Sequence, residues 1–203
     1  MRLIEVLDEG KNTGCIVVDV QPEYAYYSNE NLGICERIIS FVTNQTGPVL
    51  FFVNAEDQGH SADTVQDIQL WWEDIAGKPI DWSRYTVVDK GYGYFRAWMD
   101  SGVDDSIIIK TIRLLYQQKL SDSRELFGGE GSHTYEPGMR ELLGDNYNVM
   151  YDPLSVNWTN ISQLKKFNGS YIIGGGRNEC LREVELLMNA FNIKYKRIDN
   201  LIY

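Results

Sequence analysis

Two short apolar runs with an amphipathic segment between them most constrain what this chain can fold into. The first run covers residues 15–20 (CIVVDV), and the second covers residues 49–53 (VLFFV), after a chain break at Gly47-Pro48. Residues 31–44 lie between them and repeat apolar side chains at helical spacing. Short continuous apolar runs are typical of parallel strands buried on both faces. The pattern predicts a β-α-β unit, and hence a three-layer α/β/α fold with a mostly parallel central sheet.

The remainder of the chain adds further predicted elements of both kinds. Hydrophobic spacing predicts helices over 63–74, 104–120, 162–167 and 178–191, and strands over 85–88, 147–151, 170–173 and 194–198. Residues 128–138 are rich in glycine and proline and are predicted to form a loop. At 203 residues the chain is expected to be a single domain over 1–203. Residues 55–148 are interpreted as a long insertion, or as an irregular segment whose strands the pattern does not resolve.

Charge and composition exclude several classes of function. The formal net charge is −10, and without a long Lys/Arg run such a chain repels phosphate backbones, so no nucleic-acid partner is expected. No apolar run approaches the roughly 20 residues that span a bilayer, and residues 1–10 carry acids where a signal peptide needs an apolar core. We therefore expect a cytoplasmic protein that acts on a small molecule and does not contact a membrane.

The cysteines and histidines give no metal or disulfide pattern. Three cysteines without a C-x-x-C spacing predict neither a disulfide framework nor a cysteine-rich zinc site. Glu56, Asp57 and His60 are close in sequence, but their spacing matches no ligand pattern that we can defend. We expect no metal and no cofactor.

Reactive side chains follow five of the predicted strands. Asp19 lies near the end of the first strand, and Asn54, Glu56 and Asp57 follow the second. Lys90 follows residues 85–88, Asp152 follows 147–151, and Cys180 follows 170–173 across a glycine turn. Ligands of open parallel sheets bind beyond the carboxyl ends of the strands. The convergence of these residues therefore predicts a functional site at that edge of the sheet.

Each of the main candidates has a functional and a structural interpretation. Cys180 at a helix N-terminus is expected to have a lowered thiol pKa, with the backbone of Gly174, Gly175 and Gly176 available to a ligand as an oxyanion hole. It can equally be a buried cysteine that packs under a turn. A carboxylate that ends an apolar strand indicates a function for Asp19, although it can instead cap the next loop. Lys90 can pair with Asp19, or be a solvated loop lysine.

Two segments at opposite ends of the chain carry a family resemblance. Residues 16–24 (IVVDVQPEY) end in a D-x-Q-x-[DE]-[FY] pattern, and residues 171–199 (YIIGGGRNECLREVELLMNAFNIKYKRID) run from an apolar strand through a glycine turn and a cysteine to a helix. Both segments resemble the isochorismatase-like cysteine hydrolase superfamily, which includes nicotinamidases and N-carbamoylsarcosine amidases. The resemblance implies a homo-oligomer, because family members commonly assemble as dimers or larger oligomers.

The resemblance also implies a reaction and a set of site residues. It implies hydrolysis of a small molecule at a C–N amide-type bond, with Cys180 as nucleophile, Asp19 as base and a lysine as its partner. The segment TVVDKGYGYF favours Lys90 as that lysine, whereas MYDPLSVNWT resembles the same family segment with Asp152 in its place. Substrate-binding candidates are Gln21, Tyr24, Asp152, Gly175, Gly176 and Arg177.

Two other functions remain open at this point. A divergent, non-catalytic family member would bind a small ligand or a protein, with the aromatic-rich middle segment as its interaction surface. A different α/β enzyme could use the three glycines to bind a phosphate, but the sequence lacks the lysine of a P-loop.

Overall fold

A computed structural model describes residues 13–55, 63–90, 95–126, 136–145 and 154–203. These residues form one five-stranded sheet in the order β3-β2-β1-β4-β5, and every neighbouring pair is parallel. The strands are β1 Cys15–Val18, β2 Val49–Val53, β3 Tyr85–Asp89, β4 Ser170–Gly174 and β5 Tyr195–Arg197. The predicted α/β fold with a parallel sheet is confirmed.

Helices cover both faces of this sheet. Within the described ranges they are α1 Pro22–Ala25, α2 Asn29–Thr43, α3 Val65–Ala76, α4 Arg96–Asp100, α5 Asp105–Gln118, α6 Ser123–Leu126, α7 Glu136–Leu143, α8 Trp158–Leu164 and α9 Cys180–Ala190. Short 3₁₀ turns occur at Trp82–Arg84, Lys165–Phe167 and Asp199–Leu201. No helix of the described part combines the length and the apolar character that crossing a membrane requires.

The alternation of side chains along the strands divides the core into two layers. Ile16, Leu50 and Ile172 pack on one face against residues of α4, α5, α8 and α9. Phe51 and Ile173 face the other side, where they pack against residues of α2 and α3. Because successive strand residues point to opposite faces, a strand covered on both sides must be apolar throughout. This requirement explains the continuous apolar runs in the sequence.

The strand order places a crevice beside β1. The chain builds β1, β2 and β3 in one direction across the sheet, and then returns to the other side of β1 to add β4 and β5. The helices that follow strands on the two sides of such a switch point lie on opposite faces, which opens a crevice at the carboxyl ends of the strands. The segments after β1 and β4 border this crevice.

Several predicted boundaries differ from the structure for identifiable reasons. Helix α8 begins four residues before the predicted start at 162, because the side chain of Asn157 accepts a hydrogen bond from the Thr159 backbone N–H and caps the helix there. The loop prediction for 128–138 is wrong for residues 136–138, which form the start of α7. The proline that favoured a loop is the second residue of this helix, and proline is tolerated in the first turn.

Parts of other predictions fall outside the described residues. The strand predicted over 147–151 and residues 128–135 of the predicted loop lie there. Within the segment 55–148, the described residues supply β3 to the central sheet, together with α3 and α5 on its two faces.

Candidate active site

Asp19 directly follows β1 with a backbone conformation that an ordinary strand residue does not adopt. Its φ of 47° lies in the left-handed region, which is uncommon for residues other than glycine, although aspartate is enriched there. The Asp19 N–H donates to the Phe52 carbonyl at 2.8 Å, and the Tyr203 hydroxyl donates to the Asp19 carbonyl. Such conformations persist where the surroundings hold them, and they cluster at functional sites. These two bonds hold the Asp19 carboxylate, which is almost fully buried, at the carboxyl end of β1.

Lys90 reaches this carboxylate from the end of β3. Its N–H donates to the Val53 carbonyl at 2.8 Å, and its Nζ lies 3.1 Å from Asp19 Oδ2. The side chains of Lys90 and Asp19 are only 2% and 1% exposed. The predicted pairing is therefore present, and the interpretation of Lys90 as a solvated loop lysine is wrong.

The electrostatic surroundings keep Lys90 positively charged. Burial alone would lower the pKa of Lys90, but the negative charges of Asp19, Cys180 and Glu183 outweigh burial and raise that pKa above its ordinary value. Lys90 is consequently an ammonium at neutral pH, in a position where a buried cation needs a counter-ion.

The carboxylate of Asp19 has unused capacity to accept hydrogen bonds from the described residues. Apart from the Lys90 ammonium and the Cys180 thiol, its two oxygens have no hydrogen-bond donor among the described residues. A buried carboxylate that serves only structure is normally surrounded by donors. The Cys180 thiol lies close enough that both the charge of Asp19 and a hydrogen-bond interaction with it act on the thiol.

Cys180 is the first residue of α9, and its half-buried thiol is free. Burial raises the pKa of this thiol well above its ordinary value; the charge of Asp19 raises it further, and Lys90 acts in the opposite direction. The expected lowering of the thiol pKa is therefore reversed, since burial and the neighbouring carboxylate outweigh the lysine. The resting thiol keeps its proton at neutral pH, so its use as a nucleophile requires a base.

The glycine turn before Cys180 is required by packing within the protein. At Gly174, with a φ of 77°, an added Cβ would lie 2.5 Å from the Val18 carbonyl oxygen. At Gly175, with a φ of 64°, it would lie 3.1 Å from the Leu181 nitrogen. Close approach of the turn to β1 and α9 accounts for both glycines without a ligand. Substrate binding by Gly175 and Gly176 stays a prediction.

Gln21 joins the carboxyl ends of β1 and β2. Its Nε2 donates to the Asn54 carbonyl at 2.8 Å, and its Oε1 accepts from the Asn54 N–H at 3.0 Å. Asn54 in turn donates through Nδ2 to the Tyr24 hydroxyl at 3.0 Å, while its own Oδ1 is buried with no donor in the described part of the chain. The fully buried Gln21 amide is thus engaged by protein groups, which indicates that it positions the edge of the site.

Tyr24 borders the candidate triad. Burial is the main cause that raises the pKa of its hydroxyl, and the charges of Asp19, Cys180 and Lys90 also act on it. Tyr24 therefore lies within electrostatic range of the candidate triad, and its role in substrate binding remains a prediction.

Arg177 faces the C-terminal turn. Its Nη1 donates to Asp199 Oδ1 at 2.8 Å, its Nη2 donates to the Asp199 carbonyl at 3.2 Å, and its N–H donates to the Tyr203 carbonyl at 2.8 Å. These contacts tie the glycine turn to residues 199–203. Asp152, the other charged binding candidate, lies outside the described residues, so the triad of the structure contains Lys90.

Two residues around the site were missed in the sequence, Glu183 and Tyr203, whereas Asn54 was expected there because it follows the second predicted strand. Glu183 carried a usable signal, because it is an acid three positions after Cys180 in a helix that is otherwise mostly apolar on its inner side. Tyr203 carried none, because its partner is 184 positions away. Among the described residues, no group of three or more potential metal ligands is found.

Comparisons of the chain with protein-family models, curated proteins and solved structures find no match. The site therefore has to be interpreted from its own chemistry. Fold and site together define a three-layer α/β/α protein with a buried Asp–Lys pair that faces a protonated cysteine at the carboxyl edge of a parallel sheet. Such an arrangement can remove a proton from sulfur and stabilise the charge that results.

Proposed function

We propose that this protein is a cysteine hydrolase of the isochorismatase-like type that cleaves a C–N amide-type bond in a small molecule. The observation that carries the proposal is the buried pair of Asp19 and Lys90, 3.1 Å apart and facing the Cys180 thiol. A buried ion pair contributes little to stability, because the cost of desolvation can exceed the attraction between the charges. A proton acceptor beside a protonated thiol is what nucleophilic catalysis by a cysteine requires.

The first half of the reaction is acylation of the enzyme. Asp19 accepts the Sγ–H proton as the Cys180 sulfur bonds to the substrate carbonyl carbon, and the carbonyl electron pair moves onto oxygen. The Cys180 N–H, at the start of α9, has no acceptor within the helix and is available to the oxyanion. Collapse of this intermediate breaks the C–N bond, and the leaving amine takes the proton from Asp19.

The second half restores the free enzyme. Asp19 accepts a proton from a water molecule as the water oxygen attacks the thioester carbon. The carbon–sulfur bond then breaks, the sulfur regains a proton, and a carboxylic acid is released. The sum of the two halves is one amide and one water converted to one acid and one amine.

Lys90 has a separate electrostatic role in this scheme. Its ammonium stabilises the carboxylate of Asp19 before proton transfer, and it favours the negative charge that develops on sulfur during attack. Since the pKa of Lys90 is raised, the cation persists throughout the neutral range. It does not need to donate a proton itself.

The test is a panel of small amides and carbamoyl compounds, assayed with wild type, Cys180→Ser and Cys35→Ala. Cys35 is a buried thiol on α2 and serves as the matched control. Wild type and C35A should hydrolyse at least one compound, and C180S should lose about a thousandfold or more of that rate. The acyl intermediate should appear as added mass on the tryptic peptide 178–182, which carries Cys180 as its only cysteine.

A negative result would support the binding alternative. If no compound is hydrolysed, or if C180S retains the rate of the wild type, the chain is better explained as a non-catalytic protein that binds a ligand or a protein. Assembly into a homo-oligomer stays a prediction, which the mass of the purified protein from light scattering would check.

A further inference from the structure

Glu183 is a buried acid that the proposed reaction does not use. It is 2% exposed and lies three residues after Cys180 on α9, so the two side chains are neighbours on one side of the helix. A buried carboxylate on the helix of the nucleophile is costly unless partners compensate for its charge.

One partner of Glu183 is the backbone that follows Lys90. Its Oε1 accepts a hydrogen bond from the Phe95 N–H at 3.1 Å, and this bond is buried. Phe95 immediately precedes α4 and supplies no side-chain cap of its own. Glu183 therefore ties the start of α4 to the helix that begins with Cys180.

A second interaction of Glu183 is with the charge of Lys90. Glu183 is one of three negative groups whose charges raise the pKa of Lys90, together with Asp19 and the thiolate form of Cys180. Lys90 is fixed at its backbone by the Val53 carbonyl, five residues before the Phe95 contact. The carboxylate of Glu183 thus acts on Lys90 through its charge, and on the chain beyond Lys90 through a hydrogen bond.

We propose that Glu183 is a positioning residue: it anchors the backbone of Phe95, in the segment after Lys90, to α9. Its negative charge offsets part of the positive potential of Lys90 at the thiol, so that Cys180 keeps its proton until Asp19 removes it. This inference rests on the cysteine hydrolase function proposed above. In the proposed scheme Glu183 takes no part in the making or breaking of bonds. It sets the charge balance in which Asp19 acts as the base.

Several charged or titratable groups face the thiol from different elements. Asp19 from the end of β1 and Glu183 from α9 raise the pKa of the Cys180 thiol, whereas Lys90 from the end of β3 lowers it. Tyr24 and Tyr203 also interact electrostatically with Cys180. Loss of the Glu183 charge alone should therefore shift the balance toward Lys90 and toward the thiolate.

The experiment measures the alkylation rate of Cys180 by iodoacetamide in wild type and Glu183→Gln between pH 7 and pH 10. The amide oxygen of glutamine can still accept from the Phe95 N–H, so the substitution removes the charge and keeps the anchor. E183Q should accelerate alkylation of Cys180 at neutral pH, about tenfold for each unit by which the thiol pKa falls. Mass spectrometry of tryptic peptide 178–182 reads Cys180, and peptide 12–37 carries Cys15 and Cys35 as buried references.

Two further variants separate electrostatics from packing. Glu185→Gln removes another buried acid of α9, whose charge is paired with Arg197, and should leave the Cys180 rate unchanged. Glu183→Asp keeps the charge at a shorter reach and should stay within a few-fold of wild type. In the amidase assay, E183Q should shift the acid limb of the pH profile to lower pH, which loss of packing alone would not do.

Other results would overturn the inference. An unchanged or slower Cys180 rate in E183Q would do so, and so would acceleration of all three cysteines together, because that result means general loosening of the fold. Equal acceleration in E183D and E183Q would also contradict a role for the charge. The alkylation assay needs no substrate, so it remains decisive even where the activity of C180S shows that the proposed function is wrong.

Discussion

Two ion pairs of this protein, at different places in the fold, bury a carboxylate in different ways. Glu185 of α9 pairs with Arg197 of β5; both carboxylate oxygens accept from the guanidinium, and the Arg197 side chain remains 36% exposed. Asp19 and Lys90 pair at the carboxyl edge of the sheet with side chains that are 1% and 2% exposed, and the carboxylate retains unused acceptor capacity. The first pair is saturated and partly exposed, whereas the second is dry in the sense that both side chains are almost fully buried, and its carboxylate has few donors among the described residues.

The difference indicates which pair serves structure and which serves chemistry. A bidentate arginine that can still reach water compensates for burial of its carboxylate and fastens α9 to the edge strand β5. A dry pair with unused oxygens stabilises a fold poorly, because desolvation can exceed the attraction between the charges. The Asp19–Lys90 pair is therefore better explained by the proton that it can take from Cys180.

The largest effect is expected from Lys90→Met, which leaves the Asp19 carboxylate buried without its counter-ion. The free energy of unfolding should fall by about 3–5 kcal/mol, and amidase activity by about 10²–10³-fold. Urea unfolding and the panel assay measure these two quantities. Lys110→Met, at an exposed lysine of α5, is the matched control and should change neither by more than a small margin. A loss of stability below about 1 kcal/mol in K90M would contradict the account of a dry pair.

Removal of both charges should separate stability from activity. In the double variant Asp19→Asn with Lys90→Met no uncompensated charge remains, so the free energy of unfolding should return to within about 1 kcal/mol of wild type. Activity should stay lost, because the base is absent. Recovery of activity together with stability would show that the pair is structural, like that of Glu185 and Arg197.

Alkaline pH should weaken the Asp19–Lys90 pair selectively. The folded state raises the pKa of Lys90 above its ordinary value of 10.5, so folding retains a proton that the unfolded chain releases. The stabilisation is fully present below pH 10.5, falls by about 1.4 kcal/mol per pH unit above it, and is lost once pH passes the folded pKa. The difference in unfolding free energy between wild type and K90M should show this slope, and a flat difference between pH 10.5 and pH 12 would contradict it.

A smaller effect on stability and none on activity is expected at the saturated pair. Glu185→Gln removes the charge that holds Arg197, and should cost about 1–2 kcal/mol, reduced by the exposure of the arginine. Amidase activity should remain within about twofold, because Glu185 has no part in the site. A tenfold loss of activity would mean that the two pairs are coupled through α9.

The smallest effect should come from Tyr203→Phe, which removes the hydroxyl that donates to the Asp19 carbonyl. Loss of one hydrogen bond should reduce the free energy of unfolding by about 1 kcal/mol. Activity should fall by a few-fold, because the left-handed backbone of Asp19 loses one of the two hydrogen bonds that the described residues make to it. Thermal melting and the panel assay test this, and a gain in activity would contradict the role of the contact.

The fold could be predicted from the sequence because its determinants are local. Continuous apolar runs mark β1, β2 and β4, since both faces of the sheet are covered, and helical spacing marks α2 and α5. The start of α8 was misplaced because a single capping side chain, Asn157, decides it rather than hydrophobic periodicity. In a sequence, an asparagine that caps a helix is hard to distinguish from an ordinary asparagine in a loop.

The candidate site could be predicted only where its residues end strands. Asp19 and Cys180 stand directly after apolar runs, and Lys90 follows a third strand, so the topology itself brings them to one edge. The direction of the Cys180 pKa was predicted wrongly, because burial and the carboxylate act through space and leave no local trace. The bonds from Gln21 to Asn54 were missed for the same reason.

The contact between Tyr203 and Asp19 has a consequence for the order of folding. It joins residues 184 positions apart, and contacts of such separation form late, since the entropy of closing a long loop must first be overcome. During synthesis on the ribosome, the backbone of the base therefore cannot reach its final geometry until residue 203 has emerged. Strands β1, β2 and β3 can pair earlier, so part of the sheet can form before the site is complete.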